Sequence, residues 1–362
     1  MENTARVIHP EFAAGRRILA VSDIHGNLPF FRGLLQKVRF TPEDILVLDG
    51  DMLEKGRDSL ALLRYMMELS RTHTVYPICG NCDGLVFRFF ETDELDGRFY
   101  ASYLPQHPES TIRQLADEMG FEDWMDFPGL RAALRERYPE IHAWLAGLPT
   151  ILETEHLVFV HGGVPSLEHM ETLDRWKCMK NDDFRGQGHS FSKYVIVGHW
   201  PVTLYNPKVP SAAPLFDYDR KIISIDGGCV LKADGQLNAL IIPHKDSEDF
   251  SFAAYDRFPE RRVLEDQAGG SRSYYIRWGD SQVQVLQRGE EFSRCRHVRT
   301  GYEMDILTKY LFTQEEITGC NDCTDYVLPL KAGDTVRVVE TSSRGYFVKH
   351  KGVSGWYFGE LE

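Results

Sequence analysis

A short apolar run that breaks off into a tight polar loop occurs six times in this chain, and few architectures accommodate that repetition. Arg16-Ile-Leu-Ala-Val-Ser runs out at Asp23, Ile45 to Leu48 at Asp49-Gly50-Asp51, and Thr74 to Ile78 at Cys79-Gly80-Asn81-Cys82-Asp83. After a long interval the pattern returns. Leu157 to Val160 leads into His161-Gly162-Gly163, Tyr194 to Val197 into Gly198-His199, and Ile222 to Ile225 into Asp226-Gly227-Gly228. Apolar runs of this length, bounded by turn residues, read as buried strands. Between the first three, apolar residues recur at helical spacing: Leu28, Phe31, Leu34, Leu35 and Val38, then Leu60, Leu63 and Met67. Strand and helix in alternation predict an open α/β sheet, and such sheets collect their ligand sites at the strand ends.

The rest of the chain differs in character. Residues 85–148 are charged, aromatic and helical in pattern, which predicts a helical insertion. Beyond Pro243 comes polar text and then strand-like alternation, with Tyr274, Ile276 and Trp278 followed by Gly279-Asp280 as a hairpin turn and Val283 and Val285 resuming. The resulting division is 1–245 as catalytic domain, 246–326 as linker and small β-rich region, and 327–362 as a final β segment. That last segment, from Lys331-Ala-Gly-Asp through Gly345-Tyr-Phe-Val to Gly355-Trp-Tyr-Phe-Gly, resembles a bacterial SH3-type barrel. The resemblance implies a surface for a peptide or a glycan.

The balance of 41 basic against 54 acidic residues, a formal −13, excludes a general electrostatic attraction to nucleic acid or to an anionic membrane. The start lacks a basic segment followed by an apolar one, and no apolar run nears the roughly 20 residues that cross a bilayer. Seven cysteines, an odd number spread over 362 residues, fit reduced thiols. These features predict a cytoplasmic protein. The pairs Cys79/Cys82 and Cys320/Cys323 lie far apart in the chain, and Cys82 falls inside another motif, so a shared four-thiolate zinc site is not read from them.

Asp23-x-His25 sets a carboxylate and an imidazole two positions apart, so an extended strand end would project both to one side, as ligands of one cation require. With Gly50-Asp51, Gly80-Asn81, His161-Gly162 and Gly198-His199 also following strands, the six donors suit two divalent ions of the manganese, iron or zinc kind.

These motifs, in their order and spacing, resemble those of calcineurin-like metallophosphoesterases over residues 17–240. His161-Gly-Gly-Val, Gly198-His199-Trp-Pro and Ser224-Ile-Asp226-Gly-Gly-Cys are similar to the phosphoprotein phosphatase branch. That branch includes bacterial serine/threonine phosphatases and dinucleoside tetraphosphatases. The resemblance implies a four-layer α/β/β/α sandwich with a small all-β module after it. It implies that Asp23 and His25 ligate a first metal, that Asp51 bridges, and that Asn81, His161 and His199 ligate a second. Two such cations generate hydroxide at neutral pH and neutralise phosphate oxygens.

Two positions depart from that branch. Its usual Gly-Asp-x-x-Asp-Arg-Gly reads Gly50-Asp51-Met-Leu-Glu54-Lys55-Gly56 here, so Lys55 keeps a phosphate-binding charge without the guanidinium fork. A second phosphate-binding cation is expected between His161 and His199, with Arg175, Lys177 and Arg185 as candidates. Cys82 stands where the branch has a His paired with a carboxylate; the partner, Asp83, is present. As catalytic residues this pair leaves open whether the thiol is acid, extra ligand or neither. The leading expectation is a phosphomonoesterase of the serine/threonine phosphatase kind acting on a phosphoprotein or nucleotide. The second is hydrolysis of dinucleoside polyphosphates or phosphodiesters. The third, an inactive core used as a binding module, sits poorly with retention of all six ligands.

Overall fold

The computed structural model describes residues 3–91 and 97–362. Its elements begin with β1 (Val7–Ile8), β2 (Ile18–Val21), α1 (Leu28–Lys37), β3 (Ile45–Asp49), α2 (Ser59–Thr72), β4 (Thr74–Ile78) and α3 (Asn81–Glu91). The helical insertion continues as α4 (Gly97–Gln106), α5 (Thr111–Glu118), α6 (Phe127–Arg137) and α7 (Pro139–Gly147). Then follow β5 (Ile151–Glu153), β6 (Leu157–Val160), α8 (Arg175–Met179), β7 (Tyr194–Val197), β8 (Leu215–Asp217), β9 (Ile222–Ser224), β10 (Leu237–Ile242) and β11 (Ser251–Tyr255).

Two sheets result. One has the order β11-β10-β2-β3-β4, with β2, β3 and β4 parallel; the other has the order β1-β5-β6-β7-β9-β8, with β6, β7 and β9 parallel. Successive strand residues face opposite ways, and the cores follow that alternation. Ile18 and Ala20 of β2 and Ile45 and Val47 of β3 pack with Leu157, Phe159, Ile196 and Ile223 of the second sheet. Leu19, Val21, Leu46 and Leu48 point the other way, onto Phe31, Leu34, Leu63 and Met66 of α1 and α2. On the far face of the second sheet Val158, Val160, Val195 and Val197 meet Val164, Met170, Cys178 and Phe184. This is the α/β/β/α layering, with an outer layer there made only of α8 and short 3₁₀ turns. All six strands with polar ends are parallel members of these sheets, so their C-terminal loops gather along one edge.

The chain divides into two compact units. The first comprises residues 1–200, 214–231 and 237–255, because β11 pairs antiparallel with β10 and so belongs to its sheet. The second comprises 201–213, 232–236 and 256–362 and is all β. It contains β12 (Glu260–Arg262), β13 (Tyr275–Ile276), β14 (Val283–Gln287), β15 (Phe292–His297), β16 (Glu303–Leu307), β17 (Leu311–Gln314), β18 (Ile317–Cys320), β19 (Cys323–Thr324), β20 (Thr335–Ser342), β21 (Gly345–His350) and β22 (Val353–Tyr357). The sheet β12-β20-β21-β22 takes its first strand from before residue 327. The turn expected at Gly279-Asp280 forms, closed by a single antiparallel bridge between Arg277 and Asp280, but the flanking strands do not pair with each other: β13 joins β19, and β14 joins β15.

Candidate metal centre

The first two loops are zipped together by their backbones. Asp23 N donates to Gly50 O at 3.0 Å, His25 N to Asp51 O at 3.0 Å, and Gly26 N to Met52 O at 2.8 Å. Asp23 and His25 do not continue the strand, so they are not the extended strand end that would project both side chains to one side. Both have positive φ, 52° and 48°, as do Asp51 at 48° and His199 at 62°. Such backbone is sparsely populated by residues other than glycine and persists only where its surroundings enforce it. These left-handed turns sit in three of the strand-end loops. Gly80 has no room for a Cβ, which would overlap Asp51 N and Oδ1, so glycine there lets the third loop close onto the second.

Four of the six donors are closed to solvent, Asp23, His25, Asp51 and His161 being 1%, 2%, 3% and 0% exposed, while Asn81 and His199 are half-buried. His161 Nε2 lies 3.3 Å from Asp51 Oδ1 and 4.0 Å from Asp23 Oδ1. His25 Nε2 lies 3.7 Å from Asp23 Oδ1 and 3.9 Å from Asp51 Oδ2. The His161 and His199 rings are 5.4 Å apart. Asp51 belongs to two donor groups, one with His161 and His199, the other with His25 and Cys82. Asp23 Oδ1, His25 Nε2, Asn81 Oδ1 and His161 Nε2 are buried and have no hydrogen-bond partner. Orphaned buried polar atoms cost about 1–3 kcal/mol each, and separations near 4 Å suit donors that share a cation with bonds of about 2.0–2.2 Å. The residues present therefore fit two divalent ions.

A surrounding set of contacts aims these donors. His161 Nδ1 is 2.8 Å from Asp49 O, which leaves Nε2 facing the centre. Cys82 N donates to Asp51 Oδ1 at 2.7 Å, His199 N to Asp23 Oδ2 at 3.1 Å, and His199 Nε2 sits 2.8 Å from Asp182 Oδ1. Asp226 Oδ1 accepts from Gly228 N at 2.7 Å and so orients its own loop. Burial, reinforced by Asp226, pushes Asp23 well above the carboxylate range. Burial would raise Asp51 too, but His161 and His25 outweigh it and hold Asp51 far below that range. Burial lowers His25 to about 4, and burial with Asp51 pushes the Cys82 thiol well up.

Asp83 is occupied. Its Oδ1 accepts from Met52 N and Leu53 N, both at 3.1 Å, and its Oδ2 from Gly80 N at 3.0 Å. The carboxylate thus pins the second loop to the third, and it holds no proton donor. A cavity of about 520 Å³ opens beside Asn81 and Cys82, walled by Lys55, Arg88, Lys180, Trp176, Phe99 and Tyr103. Lys55 Nζ lies 5.3 Å from the Tyr103 ring centroid, and the Arg88 guanidinium 5.6 Å from that of Trp176. Arg175 lines a neighbouring cavity of about 240 Å³ instead, over the Phe87 ring, and Arg185 pairs with Asp217 at 3.1 Å. The cations on the larger cavity's wall, beside Lys55, are Arg88 and Lys180.

Two further residues, Glu54 and His107, carry roles that spacing alone does not mark. Glu54 is wholly buried and accepts from Tyr103 Oη at 2.8 Å, Ser110 Oγ at 3.3 Å and Thr111 N at 2.8 Å, tying α4 and α5 to the second loop. His107, on the cavity wall, bonds Glu109 at 2.8 Å and packs tilted against the Tyr103 ring, centroids 4.1 Å apart. The only signal for Glu54 was its place in the departing Gly50–Gly56 motif; His107 carried none.

Residues 16–224 match the model of the calcineurin-like phosphoesterase family. The chain belongs to that family. Its members are phosphoric ester hydrolases that use divalent metals. Among curated relatives, the symmetrical bis(5'-nucleosyl)-tetraphosphatase of Erwinia tasmaniensis is 30% identical over 147 residues, 40% of this chain and 43% of the relative. That of Glaesserella parasuis is 42% identical over 64 residues, 17% of this chain and 23% of the relative. The chain spans less than half the length of either. Among solved structures, a protein serine/threonine phosphatase of Saccharomyces cerevisiae has a TM-score of 0.43 at 12% identity, covering 71% of this chain and 85% of that one. A metallophosphoesterase of Sphaerobacter thermophilus has a TM-score of 0.37 at 15% identity, covering 67% and 89%. Among the described residues, no helix is long and apolar enough to cross a membrane.

Proposed function

We propose that this metallophosphoesterase hydrolyses a nucleoside polyphosphate, cleaving a phosphoanhydride rather than an alkyl ester. The observation that carries the reading is the cavity of about 520 Å³ beside Asn81 and Cys82, whose wall combines three cations, Lys55, Arg88 and Lys180, with the aromatic rings of Phe99, Tyr100, Tyr103 and Trp176. Lys55, Arg88 and Lys180 neutralise a polyphosphate chain. Phe99 and Trp176, both exposed and each covered on one side, by Tyr103 and by Arg88, would offer the other face to a base, a contact worth about 1–3 kcal/mol. In this reading Asp23 and His25 would hold the first cation, Asp51 both, and Asn81, His161 and His199 the second. When bound, the cations supply Lewis acidity and lower the pKa of water.

The protein's own groups favour a good leaving group. Asp83 is spent on backbone amides, so nothing orients a proton donor at position 82. General acid catalysis is worth about 10² to 10⁴ in rate, and a departing nucleoside phosphate needs it least. The names of the curated relatives support the same substrate class. A second reading, phosphomonoester hydrolysis, draws support from His107 with Glu109, a proton donor on the cavity wall.

Steady-state kinetics on the metal-reconstituted chain separate these. Replacing Arg88 and Lys180 by Ala together should raise KM for a nucleoside polyphosphate by about 10-fold or more, equivalent to about 1.4 kcal/mol, and leave p-nitrophenyl phosphate little affected. Equal effects on both substrates would refute the polyphosphate reading. A wild type that turns over phosphopeptide with higher kcat/KM than nucleoside polyphosphate would establish the second.

A further inference from the structure

We propose that Cys82 is itself a ligand of the first cation, its sulfur completing the Asp23, His25 and Asp51 side of the centre. This rests on the binuclear reading of the six residues given above. The family's motif supplies the second cation with four protein donors, Asp51, Asn81, His161 and His199, and the first with three. Cys82 is grouped with two of those three, His25 and Asp51.

The geometry points to this in three ways. Cys82 Sγ, a ring nitrogen of His25 and a carboxylate oxygen of Asp51 all lie within 4.8 Å of one another. Donors bonded to one ion at about 2.0–2.3 Å are held roughly that close. His25 Nε2, buried and without a hydrogen-bond partner, needs an electron-pair acceptor in that space. Finally, Asn81 Nδ2 donates toward Cys82 Sγ at 3.5 Å, while Asn81 Oδ1 is left without a partner. One amide thus hydrogen-bonds the sulfur beside the first cation and offers its oxygen to the second.

The helix explains how neighbours in sequence serve two ions. Asn81 and Cys82 are the first two residues of α3, where successive side chains diverge by about 100° and the free backbone N–H groups favour negative charge. The chemistry balances without a redox partner: the S–H bond breaks, its proton leaves to solvent, and the sulfur lone pair forms the metal bond. A thiolate among oxygen and imidazole donors makes the first position softer, favouring zinc or iron over manganese.

The test uses the whole chain loaded with cobalt(II), whose bond to a thiolate gives a charge-transfer absorption in the near ultraviolet. The wild type should bind about two cobalt ions per chain and show the band. Cys82→Ser and Cys82→Ala should lose it, and a Cys320→Ala/Cys323→Ala variant should keep it. Cys82→Ser should also weaken zinc binding by about 10-fold or more and manganese binding far less. Two bound cobalt ions with no band, or a band that survives in both Cys82 variants, would overturn the assignment and leave the binuclear centre standing. Failure of the wild type to bind cobalt would overturn both.

Discussion

Gly80 shows how little freedom the centre leaves a single residue. A methyl group there would run into Asp51 N and Oδ1, so Gly80→Ala should push the third loop off the second and lower metal affinity by about 10- to 100-fold, the usual cost of disturbing a ligand's support. Titration of the variant with zinc checks this, and unchanged affinity would contradict it. Asp83 makes a sharper case. Asp83→Ala strands the amides of Met52, Leu53 and Gly80 in a buried place, at about 1–3 kcal/mol each. Denaturant unfolding should show a loss of at least about 3 kcal/mol. The candidate donors stand out in the sequence because each ends a strand in a loop that carries a glycine, a pattern few structural roles demand together. The role of Asp83 does not, since three amide contacts across two loops leave no trace in spacing. Nor do the left-handed turns at Asp23 and His25, because aspartate and histidine tolerate that region without being markers of it.

At the scale of elements, the helical insertion is held to the centre through Glu54, which Tyr103 of α4 and Thr111 of α5 both reach. Burial raises Glu54 above its ordinary value of 4.5. The folded chain therefore keeps this proton at a pH where the unfolded chain has released it. The stability it contributes is full below 4.5 and falls as pH rises through the raised value. Glu54→Gln holds a neutral acceptor at every pH. The melting-temperature advantage of wild type over Glu54→Gln should accordingly be greatest near pH 4.5 and shrink toward pH 7. An advantage that grows with pH would contradict the assignment. Helices α1 and α2 could be read from apolar periodicity, as could the six strands, because each buries one strong face or two. The thin outer layer on the second sheet could not. Its 3₁₀ turns and five-residue helix carry too few repeats for a period to show.

Over the whole molecule the chain builds two units, each with its own cores. In the second, Lys349 Nζ and Asp256 Oδ2 form a buried ion pair at 2.5 Å, and Arg337 meets the same carboxylate at 2.8 Å. Removing one partner of a buried pair costs about 3–5 kcal/mol, whereas removing both often costs little. Asp256→Ala should therefore destabilise this unit, and Asp256→Ala/Lys349→Met should recover much of the loss; a double variant no more stable than the single would contradict this. Composition marked the change to β structure. It did not mark that residues 201–213 and 232–236 join the later unit, because such excursions depend on contacts distant in sequence. Asp51 is the one residue placed in both donor groups around the centre, so binding of two cations would depend on it. Metal content per chain, measured by mass spectrometry after dialysis against manganese or zinc, tests that directly. Wild type should hold about two ions per chain and Asp51→Ala close to none; a wild type that holds none, or an Asp51→Ala variant that still holds two, would contradict it.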